Sequence, residues 1–204
     1  LASAYYFSHK NIFIILFLIL FIEIFLNFNL KNFSLIVLPV IATISILFHI
    51  DIGIYINFIL FFYTLYLILA KKYNDILLLF SSFFVVLSLT IIFIGLDEII
   101  AFLNNTKSIV SSMDLMHGLK YPDPFFSLGT NQDGARATRG LLLQLTAGIF
   151  VLNYLITNND KKFNTKKVFF LFIFLLSFIM YKNALGRSDA SHIRMSNDLP
   201  ILIN

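Results

Sequence analysis

Long apolar runs separated by short polar interruptions dominate the chain. Crossing roughly 30 Å of hydrocarbon takes about 20 mostly apolar residues in a helix. Six runs meet or approach that length, over 12–30, 33–50, 52–70, 76–95, 140–156 and 168–185. Their apolar residues follow one another without a period of two, which argues for helices and against the strands of a β-barrel. The connections near Lys31 and Asp51 are so short that the runs they join must form helical hairpins. The sixth run needs Lys182 to extend toward an interface. The pattern predicts an all-α polytopic transmembrane bundle, a single domain over 1–204 with about six spans.

A fainter pattern lies between Leu96 and Met116. Apolar residues at 96, 99, 100 and 103, then at 109, 113 and 116, recur at helical spacing. They predict one or two interfacial helices lying along the membrane. Such helices could roof a lateral opening for a lipid substrate or simply pack against the bundle.

Composition agrees with a chain solvated by lipid. Hydrophobic residues make up 59% and charged residues 13%, and mean hydropathy is +0.87, well to the apolar side of soluble domains. The 25 Phe occur with no Trp and with Lys far ahead of Arg, a bias of the kind an AT-rich bacterial genome produces, so abundant Phe carries little functional meaning. The lack of Cys excludes disulfides, thiolate catalysis and Cys-ligated zinc. The formal charge of +4 resides largely in Lys at the ends of spans and gives no reason to expect nucleic acid as a partner. The chain opens at Leu1 rather than Met, and Leu199-Pro200-Ile201-Leu202 reads as the start of a further span at 199. A fragment of a longer protein is therefore expected. No basic region with a small-residue cleavage site precedes the first run, which is taken as a retained anchor.

Loop charges set an orientation. Alternate connections hold Lys31, then Lys71 and Lys72, then Lys161, Lys162, Lys166 and Lys167, with Asp75 and Asp160 opposing them. The positive-inside rule places that side in the cytoplasm. Segments 96–139 and 186–198 then face outward from a bacterial plasma (inner) membrane.

All four Arg, at 136, 139, 187 and 194, fall in those two outward segments. A planar guanidinium binds phosphate or carboxylate bidentately and stays ionised where water is scarce. The bland alternative pairs Arg136 and Arg139 with Asp133, and Arg187 and Arg194 with Asp189 and Asp198, as ordinary juxtamembrane charge. In the first segment Pro122 and Pro124 keep the chain extended, Gly129 and Gly134 permit turns, and Asp133 is placed to cap the helix that follows. Arg136 and Arg139, three apart, share a face of its first turns. Cations there oppose the helix dipole, and a bound anion would relieve the conflict. The phosphate of an ordinary lipid or the diphosphate of a polyprenyl-linked sugar would serve.

In the second segment Gly186 is placed to end the sixth span. Asp189 and His192, three apart, form a pair that can orient an imidazole for proton transfer, or can be a capped turn. A metal centre from His117, Asp133, Asp189 and His192 has no ligand-spacing signature behind it, and no cofactor is expected. Inside the spans, Glu23, Asn27 and Lys31 form a stripe for which internal pairing by snorkelling is expected. Only Pro39 interrupts a span, which speaks against the broken helices of secondary transporters.

The run Tyr-Lys-Asn-Ala-Leu-Gly-Arg-Ser-Asp-Ala-Ser-His-Ile at 181–193, with Asp-Gly-Ala-Arg-Ala-Thr-Arg-Gly at 133–140, resembles segments of bacterial multi-pass proteins of the cell-envelope polysaccharide type, similar to the GT-C class of glycosyltransferases. The resemblance implies a polyprenyl-phosphate-linked sugar as donor and an outward-facing site at the helix ends. It also implies an acidic base in an external loop near the N-terminus. This chain departs from that last feature, since its acidic candidates follow the fourth run. On this reading Asp133 or Asp189 would be the general base, with His192 beside Asp189, and Arg136, Arg139, Arg187 and Arg194 would hold the lipid phosphate. A lipid-linked glycan flippase or transporter, and a non-catalytic structural subunit, are the competing expectations.

Overall fold

The computed structural model describes residues 9–26, 30–111, 132–157 and 165–185. Those residues form seven helices: α1 His9–Leu26, α2 Lys31–Phe48, α3 Ile50–Leu69, α4 Tyr73–Ile94, α5 Leu96–Ser111, α6 Gln132–Thr157 and α7 Thr165–Leu185. The expected all-α class holds among them. Four helices are long and apolar enough to cross a membrane, namely Lys31–Phe48, Ile50–Leu69, Tyr73–Ile94 and Gly134–Thr157. The apolar part of α1, Ile12–Leu26, is shorter than these, and α7 carries Lys166 and Lys167 in its first turn and Lys182 in its last. Of the six expected spans, four are thus of sufficient length and apolarity among the described residues. The chain falls into two compact units, Leu1–Leu103 and Asn104–Asn204.

In the first unit α2 is the central helix, with α1, α3 and α4 all packed on it. Its buried residues include Ser34, Ala42 and Ser45, small enough to admit close neighbours. Pro39 is tolerated within α2 because packed helices can re-satisfy freed backbone groups. A single residue, His49 at φ −146° and ψ 90°, turns α2 into α3. Its N–H bonds the Ser45 carbonyl at 2.7 Å, and its own carbonyl accepts from Gly53 at 2.8 Å. Gly53 makes this hairpin possible, because a Cβ there would lie 2.5 Å from the N and Cα of Ile46. Asn57 then straps the two helices, donating to the Ala42 carbonyl at 3.1 Å and to the Gly53 carbonyl at 2.8 Å. On the other side of the core Phe21 and Phe25 of α1 meet Tyr63 of α3, with ring centroids 5.3 and 5.6 Å apart.

Side-chain contacts give the directions of α1, α2 and α4. Phe13, near the start of α1, lies against His49 with ring centroids 6.1 Å apart, so those two ends coincide. At the opposite end Lys31 opens α2 and binds both oxygens of Asp75, which lies in the first turn of α4, at 2.7 and 2.9 Å. Farther along, the Ser82 hydroxyl donates to the Ile36 carbonyl at 2.6 Å, so α2 and α4 run parallel. Lys31, Lys71, Lys72 and Asp75 therefore share one end of the unit, as sorting of the loop charges requires. The expected stripe is corrected in one respect. Lys31 pairs with Asp75 across helices rather than with Glu23 along the chain, and Oε2 of Glu23 is buried without a hydrogen-bond partner among the described residues. The part-buried ammonium takes the carboxylate that tertiary register brings to it from the first turn of α4.

In the second unit α6 and α7 form an antiparallel pair, joined by polar contacts at both ends and in the middle. The Tyr181 hydroxyl donates to the Ala137 carbonyl at 2.7 Å. Gln144 and Ser177, both buried, exchange two bonds, from the serine hydroxyl to the amide oxygen at 3.0 Å and from the amide nitrogen to the serine carbonyl at 3.3 Å. Lys167 donates to the Leu155 carbonyl at 3.0 Å, satisfying one of the last four carbonyls of α6, where a cation also suits the helix dipole. Ala137 and Ala147 are buried, and small residues along this face let the backbones approach.

Candidate functional site

The arginines of the first candidate segment lie on α6. That helix begins at Gln132, eight residues before the apolar run expected at Gly140. Asp133 is accordingly the second residue of the helix and stands inside its first turn rather than ahead of it as a cap. At 1.5 Å per residue the 26 residues of α6 extend about 39 Å, longer than the hydrocarbon layer. Its apolar run starts only at Gly140, so the turns bearing Arg136 and Arg139 are the polar extension of that run. Arg136 is half-buried and Arg139 exposed, while Gly134, Ala137, Thr138 and Gly140 between and beside them are buried. The Thr138 hydroxyl bonds back to the Gly134 carbonyl at 2.8 Å, which helps hold this glycine-containing start in helical form.

The second candidate segment begins at Tyr181, and here the structure contributes what hydropathy could not. Tyr181 is buried, and its hydroxyl reaches the carbonyl of Ala137, which lies between Arg136 and Arg139. The end of α7 from which residues 186–198 depart is thereby fixed against the turns of α6 that carry two arginines. Arg187, Asp189, His192 and Arg194 lie outside the described residues, as does His117. Among the described residues no group of three or more His, Asp or Glu is placed to hold a metal ion.

Three residues of this region escaped sequence reasoning. Gln144, Ser177 and Tyr181 set the depth and register at which the ends of α6 and α7 meet, and through that the position of the arginine turns. The available signal was an amide and a hydroxyl inside otherwise apolar runs, where an unpaired polar group is costly and so calls for a partner. In the outward segment expected at 96–139, the fainter apolar pattern is realised in part as one helix, α5.

Comparison of the chain with protein-family models, with curated proteins and with solved structures gives no match, so the functional reading rests on the residues themselves.

Proposed function

We propose that this chain belongs to an integral membrane protein of cell-envelope glycan assembly that binds the phosphate of a lipid-linked sugar where the start of α6 meets the end of α7. The observation that carries the reading is the Tyr181–Ala137 hydrogen bond. It fixes the end of α7, from which the chain continues to Arg187 and Asp189, beside the helix turns containing Arg136 and Arg139. Arg187 lies two residues beyond the end of α7, a distance the extended chain covers in about 7 Å. The helix start offers backbone N–H groups to an anion, and guanidinium groups can bind its oxygens bidentately. On the glycosyltransferase version of this reading Asp133 or Asp189, with His192 at hand, removes the proton from an acceptor hydroxyl as it attacks the sugar. The arginines stabilise charge on the departing lipid phosphate.

The reading includes six spans in a bacterial plasma membrane, with the arginine segments outward. Helices α1 and α7 join the four helices of sufficient length. The start of α1 reaches His49 at the far end of α2, so α1 covers the depth that α2 covers. Along α7, bonded residues run from Lys167 to Tyr181 while their partners on α6 run back from Leu155 to Ala137, so α7 accompanies α6 across.

Binding of a polyprenyl phosphate to the reconstituted protein, compared with the same polyprenol lacking phosphate, tests the proposal. Arg139→Gln and Arg187→Gln should each weaken phosphate-dependent binding by about tenfold, roughly 1.4 kcal/mol. Lys at either position should recover only part of it. Asp133→Asn or Asp189→Asn should abolish sugar transfer while leaving binding in place. Binding that ignores the phosphate, or that survives loss of both arginines, overturns the reading. Retained movement of the lipid-linked sugar across the membrane by both Asn variants favours a flippase over a transferase.

A further inference from the structure

The chain passes from α4 to α5 through one residue. Gly95 adopts φ 93° and ψ 144°, a left-handed conformation that glycine enters freely. Its N–H still bonds the Ile91 carbonyl at 2.9 Å, and its own carbonyl accepts from Ile99 at 3.2 Å. The first helix therefore ends and the second begins with no linker between them. Since α4 is long and apolar enough to cross the membrane, the start of α5 cannot move away from the membrane boundary by more than about one Cα–Cα step of 3.8 Å.

At that boundary α5 presents a two-sided surface. Leu96, Ile100 and Leu103 are exposed by 56%, 47% and 56%, and with Ile99 they recur at the three- and four-residue spacing of one helical face. Asp97, Glu98, Ala101 and the half-buried Phe102 occupy the remainder of these two turns, with Phe102 flanking the stripe beside Ile99. None of α1–α4 packs on residues 96–103. An apolar stripe left open by its own unit and tethered to a span by one residue is matched to one surface, the lipid interface that the span has just crossed.

We infer that α5 lies in the plane of the bilayer on the side opposite Lys31, with Leu96, Ile99, Ile100 and Leu103 in the acyl boundary and Asp97 and Glu98 toward water. The partner is lipid, and the apolar stripe drives the association. Acidic residues on the wet face give no attraction to anionic headgroups, so the contact is insensitive to salt. This assignment is independent of the phosphate site and is tested without its substrate.

The absence of Trp from the sequence makes the test position-specific. Leu96→Trp, Ile99→Trp, Ile100→Trp and Leu103→Trp, together with Asp97→Trp, Glu98→Trp and Ala101→Trp, are prepared singly in the full chain and reconstituted in phosphatidylcholine vesicles brominated at shallow or deep acyl positions. The first group should be quenched roughly twofold more than the second, with shallow bromines the more effective and high salt without effect, as an interfacial helix requires. Quenching that is absent at all seven positions, or equal at all of them, overturns the inference. So does quenching that deepens steadily from 96 to 103. Because the chain also lacks Cys, single spin labels at Ile100→Cys and Glu98→Cys give a second reading, and equal oxygen accessibility at the two overturns it as well.

Discussion

Two glycines illustrate how much the energetic meaning of one residue depends on its neighbour. A Cβ at Gly53 would meet the Ile46 backbone at 2.5 Å, whereas one at Gly148 would meet the Phe174 ring at 3.1 Å. Backbone in a packed hairpin cannot yield without breaking helix hydrogen bonds, but a ring edge can tilt. Gly53→Ala should therefore destabilise the protein by about 1–3 kcal/mol, the usual cost of overpacking. Gly148→Ala should be close to neutral, because the gain from replacing a mid-helix glycine, roughly 0.5–1 kcal/mol, offsets the mild crowding. Thermal unfolding in detergent distinguishes them, and equal transition temperatures for the two variants would contradict the close approach at Gly53. Neither distinction is visible in the sequence, where both residues are glycines inside apolar runs. The same holds for Lys31. Glu23 lies eight positions before it, yet its carboxylate partner is Asp75, which only the parallel packing of α2 and α4 brings within 2.7 Å. What the sequence does show at this scale is residue chemistry: the confinement of Arg to 136, 139, 187 and 194, and the rarity of polar groups within the runs.

Helices were the most legible feature, because an apolar run in lipid has few ways to satisfy its backbone other than by forming one. The expected runs at 33–50, 52–70 and 76–95 correspond to α2, α3 and α4, each of which starts two or three residues earlier than its run, at Lys31, Ile50 and Tyr73. Hydrogen bonding carries a helix into its polar flank, while hydropathy marks only where lipid begins. For α6 the difference grows to eight residues and includes both arginines, so the element that positions the candidate site was only partly legible. Pairing was legible where a short connection forces a hairpin, as for α1 with α2 and α2 with α3, but the register of one helix against another was not. Gln144 and Ser177 illustrate why, since each could have bonded its own helix, and only the register of α6 against α7 makes them partners. Gln144→Leu or Ser177→Ala alone takes a hydrogen-bond partner from a buried polar group and should cost about 1–2 kcal/mol, and the coupling in a double-mutant cycle should be near 0.6–1.7 kcal/mol. Additive effects in that cycle, read from unfolding in mixed micelles, would remove this pair as a determinant of register.

For the whole molecule the membrane topology is decided by the two helices that fall outside the four of clear length and apolarity. If α1 and α7 both cross, the chain before α1 and the chain after α7 lie on the same side as Asp51. If α7 does not, the segment with Arg187, Asp189 and His192 stays on the side of Lys162, and Arg136 and Arg139 face a different compartment from their proposed partners. The Tyr181–Ala137 contact at 2.7 Å argues for the first arrangement, since Tyr181 sits at the arginine end of α6 while Lys167 sits at its other end. A chain without Cys permits a direct measurement in intact cells with a membrane-impermeant maleimide. Ala4→Cys, Asp51→Cys and Asp198→Cys should label from outside, and Lys71→Cys and Lys162→Cys should label only after the membrane is opened. Labelling of Asp198→Cys together with Lys162→Cys would remove α7 from the spans and the shared phosphate site with it. Labelling of Ala4→Cys together with Lys71→Cys would remove α1 while leaving that site intact, because the contacts that define it lie between α6 and α7 alone.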